Sequence, residues 1–141
     1  MLNRLRCISL ALLTGFIALT AIGGGIALLI GLEDRRFPVE WLRGTPFPNY
    51  TIPALILAIA VGSSALLACV LLLRRHRRRF LASVVAGVIM MGYIVVETLI
   101  LQQEPPGPTS IEMFYFGLGA LIVVLAGYRW QNSPRLHAPS K

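Results

Sequence analysis

The sequence predicts an all-α integral membrane bundle of four transmembrane helices, forming a single membrane domain over residues 1–141. The first observation behind this prediction is composition. Of the residues, 56% are hydrophobic and 13% are charged, and the mean hydropathy is +0.73, whereas a soluble domain carries charge on about a quarter of its residues. The second observation is a set of four apolar runs. The length of each is close to that needed for a helix to cross a membrane, about 20 residues.

The four runs define the expected spans. They cover residues 8–32, 51–73, 80–101 and 111–130. Helices are expected because backbone amides inside a membrane must be paired within their own segment, and the alternating polarity of barrel strands is missing. The first run is longer than the apolar core of a secretory signal and is interpreted as an uncleaved anchor. The segments between the runs are too short to form a separate soluble core, which excludes a soluble catalytic domain.

Basic residues are distributed unevenly between the two sides of the predicted bundle. Ten flank the chain termini or lie in the loop 74–79, whereas three lie on the opposite side with most of the acidic residues. Because Lys and Arg are enriched in cytoplasmic flanks, both termini are expected to be cytoplasmic. The net charge of +7 is therefore interpreted as an orientation signal, and nucleic acid is not an expected partner.

One charged side chain falls well inside a predicted span. Glu97 lies four residues before the end of the third span, which places it about 6 Å below the outer boundary. Tyr93 is one turn away on the same face, and Tyr115 of the fourth span is expected at a similar depth. An intramembrane carboxylate is costly to bury, so Glu97, Tyr93 and Tyr115 form a candidate ligand or coupling site. The alternative is that Glu97 reaches outer-leaflet water, or bonds to a tyrosine or to Arg43, and only tethers helices.

The outer loop, residues 33–50, is rich in proline and aromatic residues. Pro38, Pro46 and Pro48 interrupt any long helix in it. Its aromatic side chains suit headgroup depth, which favours an interfacial anchor on the outer leaflet. The alternative interpretation is a lid over a pocket between the helices.

The basic loop, residues 74–79, lies between the second and third spans. Its arginines are expected to contact anionic lipid headgroups, which attract basic side chains at a membrane surface. These candidate contacts are Arg74, Arg75, Arg77, Arg78 and Arg79. The lipid bilayer is therefore the expected partner, and recruitment of a protein partner by this loop is left open.

Small residues spaced four apart predict close helix packing. The pairs are Ala11 with Gly15, Ala27 with Gly31, Ala58 with Gly62, and Ser83 with Gly87. The run Gly23, Gly24 and Gly25 in the first span is interpreted as part of the same packing surface. Its alternative role is a hinge or an unwound ligand site, as in transporters.

No catalytic, metal or cofactor site is predicted, and an enzyme is not expected. Cys7 and Cys69 do not form a C-x-x-C pair, and both are expected to be reduced on the cytoplasmic side. His76 and His137 lie outside the spans. No nucleophile motif or phosphate-binding glycine loop is present.

The segment from Trp41 to Leu57, WLRGTPFPNYTIPALIL, resembles a motif of uncharacterised small four-span bacterial integral membrane proteins. That motif is W-L-x-G-[ST]-P-F-x-x-Y-x-I-P-x-L-I-L. The resemblance implies a multi-pass protein of the bacterial plasma membrane. It implies no activity.

Two classes of function fit these observations. The first is a non-enzymatic accessory or interaction protein that acts through helix and lipid contacts, with a membrane-protein partner or a second copy of itself. The second is a small oligomeric transporter or channel in which Glu97 couples protons or binds a cation.

Overall fold

The computed structural model describes residues 2–32, 38–100 and 109–132. Four helices lie in this part of the chain: α1 (Leu2–Leu29), α2 (Thr51–Leu73), α3 (Arg79–Ile100) and α4 (Ser110–Gln131). A 3₁₀ turn at Val39–Leu42 lies between α1 and α2. All four helices are long and apolar enough to cross a membrane. The prediction of an all-α membrane protein with four spans is therefore confirmed.

The helix bounds agree with the predicted spans except in α1. This helix begins at Leu2 rather than at residue 8 and ends at Leu29, so Arg4 and Arg6 belong to its first two turns. The predicted end of the third span at Leu101 lies outside the described residues, as do residues 33–37 of the outer loop and the tail after Asn132.

Gly31 ends α1 through its backbone conformation. Its φ is 75°, a left-handed conformation that glycine adopts without strain. The Leu32 amide donates to the Ala27 carbonyl at 2.9 Å, and the Gly31 amide donates to the Leu28 carbonyl at 3.3 Å. This pair of bonds is the Schellman motif that satisfies the last carbonyls of a helix.

Two other predicted glycines do mark close helix contacts. A Cβ on Gly62 would lie 2.6 Å from Ile22 Cγ1, so α2 approaches α1 closely at this position. A Cβ on Gly87 would lie 2.8 Å from the Gly119 carbonyl oxygen, which places the backbones of α3 and α4 in contact. Packing through small residues is what a bundle in lipid requires.

One turn of α2 is a π-helix, at Leu57–Val61, between α-helical segments Thr51–Ile56 and Gly62–Leu73. This turn faces the glycine run of α1, where a Cβ on Gly25 would overlap Ala58. The helix α1 is continuous through all three glycines. Gly25 packs as predicted, whereas a Cβ on Gly23 would meet nothing within 4 Å. The alternative of an unwound segment is wrong.

The helices follow one another around the bundle. The main contacts join α1 to α2, α2 to α3 and α3 to α4, and the contact between α1 and α4 is smaller. The bundle therefore has two ends, which we name by charge. At the basic end α1 and α3 begin and α2 and α4 end; at the acidic end the reverse holds.

Candidate ligand cavity at the acidic end

Glu97 of α3 and Glu112 of α4 line the same cavity at the acidic end. The cavity has a volume of about 230 Å³ and lies beside the smaller contact between α1 and α4. Its polar lining consists of Thr20, Tyr93, Glu97, Thr109, Glu112 and Tyr115. The sequence-predicted site residues Glu97, Tyr93 and Tyr115 are thus brought together around one space.

Glu97 lies next to a tyrosine of its own helix. Tyr93, one turn earlier in α3, places its hydroxyl beside the Glu97 carboxyl group, as the spacing of i and i+4 allows. The Tyr93 hydroxyl also lies 3.4 Å from the carbonyl oxygen of Pro53 in α2. Tyr93 therefore joins Glu97 to the first turn of α2. Arg43, another expected partner, is exposed on the outer loop.

Glu112 is a further site residue, which the sequence did not predict because it lies at the edge of the fourth span. Its side chain is 5% exposed. The Thr109 amide donates to Glu112 Oε2 at 2.5 Å, and the Glu112 amide donates to Thr109 Oγ1 at 3.3 Å. This reciprocal arrangement is a capping box, with the sequence signature T-x-x-E. The signature could have placed Glu112 inside the first turn of α4.

The two carboxylates are close enough for the charge of Glu112 to act on Glu97. Water screens charges weakly in a partly buried space, so repulsion between two such anions is stronger than at a surface. A proton or a cation between them would relieve it. The arrangement can therefore bind positive charge.

Aromatic rings close the side of the cavity near the α1–α4 contact. Tyr115 stacks on Phe16 of α1 with ring centroids 6.3 Å apart, and Phe114 meets the Phe16 ring edge-on at 6.5 Å. The rest of the lining is mainly apolar, including Leu28, Leu57, Met90 and Ile94. The cavity thus combines two carboxyl groups with aromatic and aliphatic walls.

The outer loop folds over the acidic end. Leu42 and Tyr50 form a small buried cluster that packs on Leu28 of α1, and the Tyr50 hydroxyl donates to the Pro38 carbonyl at 2.9 Å. Phe47 lines a second cavity of about 220 Å³, which reaches Glu97 from the α2 side. Phe47 therefore lies at one approach to Glu97, and the anchor and the lid both remain predictions for the outer loop.

The five arginines predicted to meet lipid headgroups do not share one environment. Arg74, Arg75, Arg77 and Arg78 are exposed, whereas Arg79 is half-buried. Arg75 and Arg79 line a hollow at the basic end together with residues of α1 and α4. The cysteines are both free, and the Cys69 thiol donates to the Ala11 carbonyl at 3.4 Å.

Comparison with known proteins finds no relative of this chain. The chain matches no protein-family model, and no curated protein or solved structure is significantly similar to it.

Proposed function

We propose that this protein is a small transporter of the bacterial plasma membrane that binds organic cations in its acidic cavity. The supporting observation is the convergence of Glu97 and Glu112, from two helices, on one space of about 230 Å³. Glu97 would act as the coupling carboxylate, exchanging a proton for the cation. Both chain termini would lie in the cytoplasm, so that the cavity lies in the outer half of the membrane.

The chemistry of the walls favours an organic cation over a bare metal ion. Mg²⁺ and Ca²⁺ require six or more oxygen ligands, whereas much of this cavity is lined by aliphatic carbon. A quaternary ammonium group instead gains from aromatic faces and from carboxylates at longer range. Tyr93 and Tyr115 supply the aromatic rings. The volume of about 230 Å³ is that of about eight molecules of liquid water, which suits a solute such as tetramethylammonium.

The test is thiol labelling of the cavity in intact cells. Thr20→Cys, in a Cys7→Ser, Cys69→Ser background, places a thiol in the cavity lining and leaves both carboxylates in place. Leu19→Cys is the matched control, because Leu19 is the next residue along α1 and is 75% exposed on the apolar surface. A membrane-impermeant reagent is expected to label position 20 and not position 19.

Tetramethylammonium is expected to slow labelling at position 20, and Glu97→Gln or Glu112→Gln is expected to abolish this protection. Sodium chloride at equal concentration controls for ionic strength. Proteoliposomes that contain the purified protein should also take up radiolabelled tetramethylammonium when protons can leave the vesicles in exchange. Two results would contradict the proposal: no labelling at position 20, or labelling that tetramethylammonium does not slow. The accessory function, in which Glu97 only tethers helices, would then be favoured.

A further inference from the structure

The hollow at the basic end collects arginine side chains from four separate segments. Its volume is about 490 Å³. The residues are Arg4 near the start of α1, Arg75 just after α2, Arg79 at the start of α3, and Arg129 in the last turn of α4. We call this space the arginine hollow. Arg4 and Arg75 are exposed, and Arg79 and Arg129 are half-buried, so an anion in the hollow would be attracted by all four side chains.

Two of these arginines are packed and oriented. The guanidinium carbons of Arg79 and Arg129 lie 4.8 and 5.9 Å from the centroid of the same ring, that of Phe80. Cation–π contact orients a guanidinium group without neutralising it. The Arg129 Nε atom is also buried and has no hydrogen-bond partner. A buried donor without an acceptor costs free energy, and the described surroundings of Arg129 lack a hydrogen-bond acceptor.

No acidic side chain in the described part of this end supplies negative charge. No Asp or Glu occurs in residues 1–32, 41–96 or 113–141, which include every described segment at the basic end. The helix dipoles do not supply it either. Two helices begin and two end there, so their partial charges oppose one another.

We propose that the arginine hollow binds a phosphate group. Planar guanidinium groups bind phosphate oxygens in pairs, with hydrogen bonds that are stronger because both partners are charged. The group could belong to a membrane phospholipid or to free phosphate, since both present the same oxygens. The site lies at the opposite end of the bundle from the acidic cavity, and its argument is independent of the proposed transport.

The test measures ligand stabilisation of the purified full chain in detergent. The probes are phosphatidylglycerol, with diacylglycerol as the lipid control without phosphate, and inorganic phosphate, with chloride at equal ionic strength as its control. Phosphatidylglycerol alone raising the unfolding midpoint would identify a lipid site. Stabilisation by inorganic phosphate as well would identify a site for the free anion. No stabilisation beyond the two controls would overturn the proposal.

A pair of double variants separates the hollow from general positive charge. Arg79→Gln with Arg129→Gln removes two hollow arginines and is expected to weaken binding by roughly thirtyfold. Arg77→Gln with Arg78→Gln removes the same charge from exposed positions and is expected to change affinity less than about threefold. Equal losses in the two variants would overturn the proposal.

A second readout needs no arginine substitution, so it holds even if the first double variant fails to fold. Cys7 lines the arginine hollow, and Cys69→Ser leaves it as the sole thiol. The bound phosphate group is expected to slow modification of Cys7 by a thiol reagent at least about fivefold, as ligand occupancy protects a site in proportion to binding. Unchanged modification at saturating probe would overturn the proposal.

Discussion

Gly25 of α1 lies so close to Ala58 of α2 that a Cβ atom on Gly25 would be 2.7 Å from the Ala58 Cβ and 2.8 Å from the Ala54 carbonyl oxygen. Backbone atoms at this crossing cannot move aside as the end of a flexible side chain can. Gly25→Ala is therefore expected to destabilise the protein by about 1–3 kcal/mol, the usual cost of overpacking. Thermal unfolding in detergent measures this change.

Gly23 provides the control for that variant, because it belongs to the same glycine run and a Cβ there would meet nothing within 4 Å. Gly23→Ala is expected to leave the unfolding midpoint unchanged or to raise it, since alanine favours a helix by up to about 1 kcal/mol. Equal destabilisation by both variants would contradict the packing described at Gly25.

Tyr93 and Glu97 are expected to be energetically coupled. Tyr93→Phe removes the hydroxyl, which lies beside the Glu97 carboxyl group and 3.4 Å from the Pro53 carbonyl oxygen, and should lower stability by about 1 kcal/mol. In the Glu97→Gln background the same change should have a different effect, with a coupling energy of at least about 0.5 kcal/mol. Tyr128→Phe, at an exposed position, is the control. Additive effects of the two changes would show that the interaction between Tyr93 and Glu97 contributes nothing measurable to stability.

Arg75 ends α2 in a left-handed conformation, with a φ of 53°. Its amide and that of His76 donate to Leu72 and Leu71, so Arg75 occupies the position where helices usually have glycine. Arg75→Gly is expected to raise stability by about 1 kcal/mol in detergent without phosphate, because the strain is relieved. The same change should weaken phosphate binding.

A rise in stability together with a loss of phosphate binding would separate the backbone strain at Arg75 from the binding role of its side chain. Arg74→Gly is the control, since Arg74 has a helical φ of −79° and glycine there should destabilise the end of α2. If Arg75→Gly also lowers stability, the arginine side chain contributes more to the fold than its backbone strain costs.

Tyr50 gives a prediction about alkaline pH. Burial, together with the charges of Glu97 and Glu40, raises the pKa of Tyr50 to about 12. Because this pKa is above that of the unfolded chain, about 10, the contribution of the protonated hydroxyl to stability is complete below pH 10. It is lost as the pH rises from about 10 to about 12. Tyrosinate absorbance should show this late titration, and Tyr50→Phe should remove it.

Orientation is testable with a reporter fused after Lys141, which is expected to be cytoplasmic because basic flanks are retained there. Replacing the exposed Arg74, Arg77 and Arg78 with Gln should produce a mixture of orientations, since these residues contribute to the charge difference. An external reporter on the natural chain would reverse the assignment of both ends.

The parts of the fold that depend on local pattern were predictable from sequence. The four helices follow from apolar length, and the contacts at Gly62 and Gly87 follow from small-residue spacing. The π-helical turn of α2 carries no comparable signal, because its position reflects the fit of Ala58 against Gly25 across the bundle. Glu112 had a local signal, the capping box with Thr109. The arginine hollow had none, because Arg4 and Arg129 come from distant parts of the chain and meet only in the folded bundle.

Because acidic and basic side chains lie at opposite ends of the bundle, a membrane voltage would act on a cation that moves between them. If the basic end faces the cytoplasm, an inside-negative potential would favour movement of a cation away from Glu97 and Glu112, by about 2.3 kcal/mol per charge for a full crossing at 100 mV. The positive charges of Arg79 and Arg129 would oppose the approach of such a cation to the basic end. A phosphate group in the arginine hollow would weaken this repulsion, so its occupancy would make the basic end less repulsive to a transported cation.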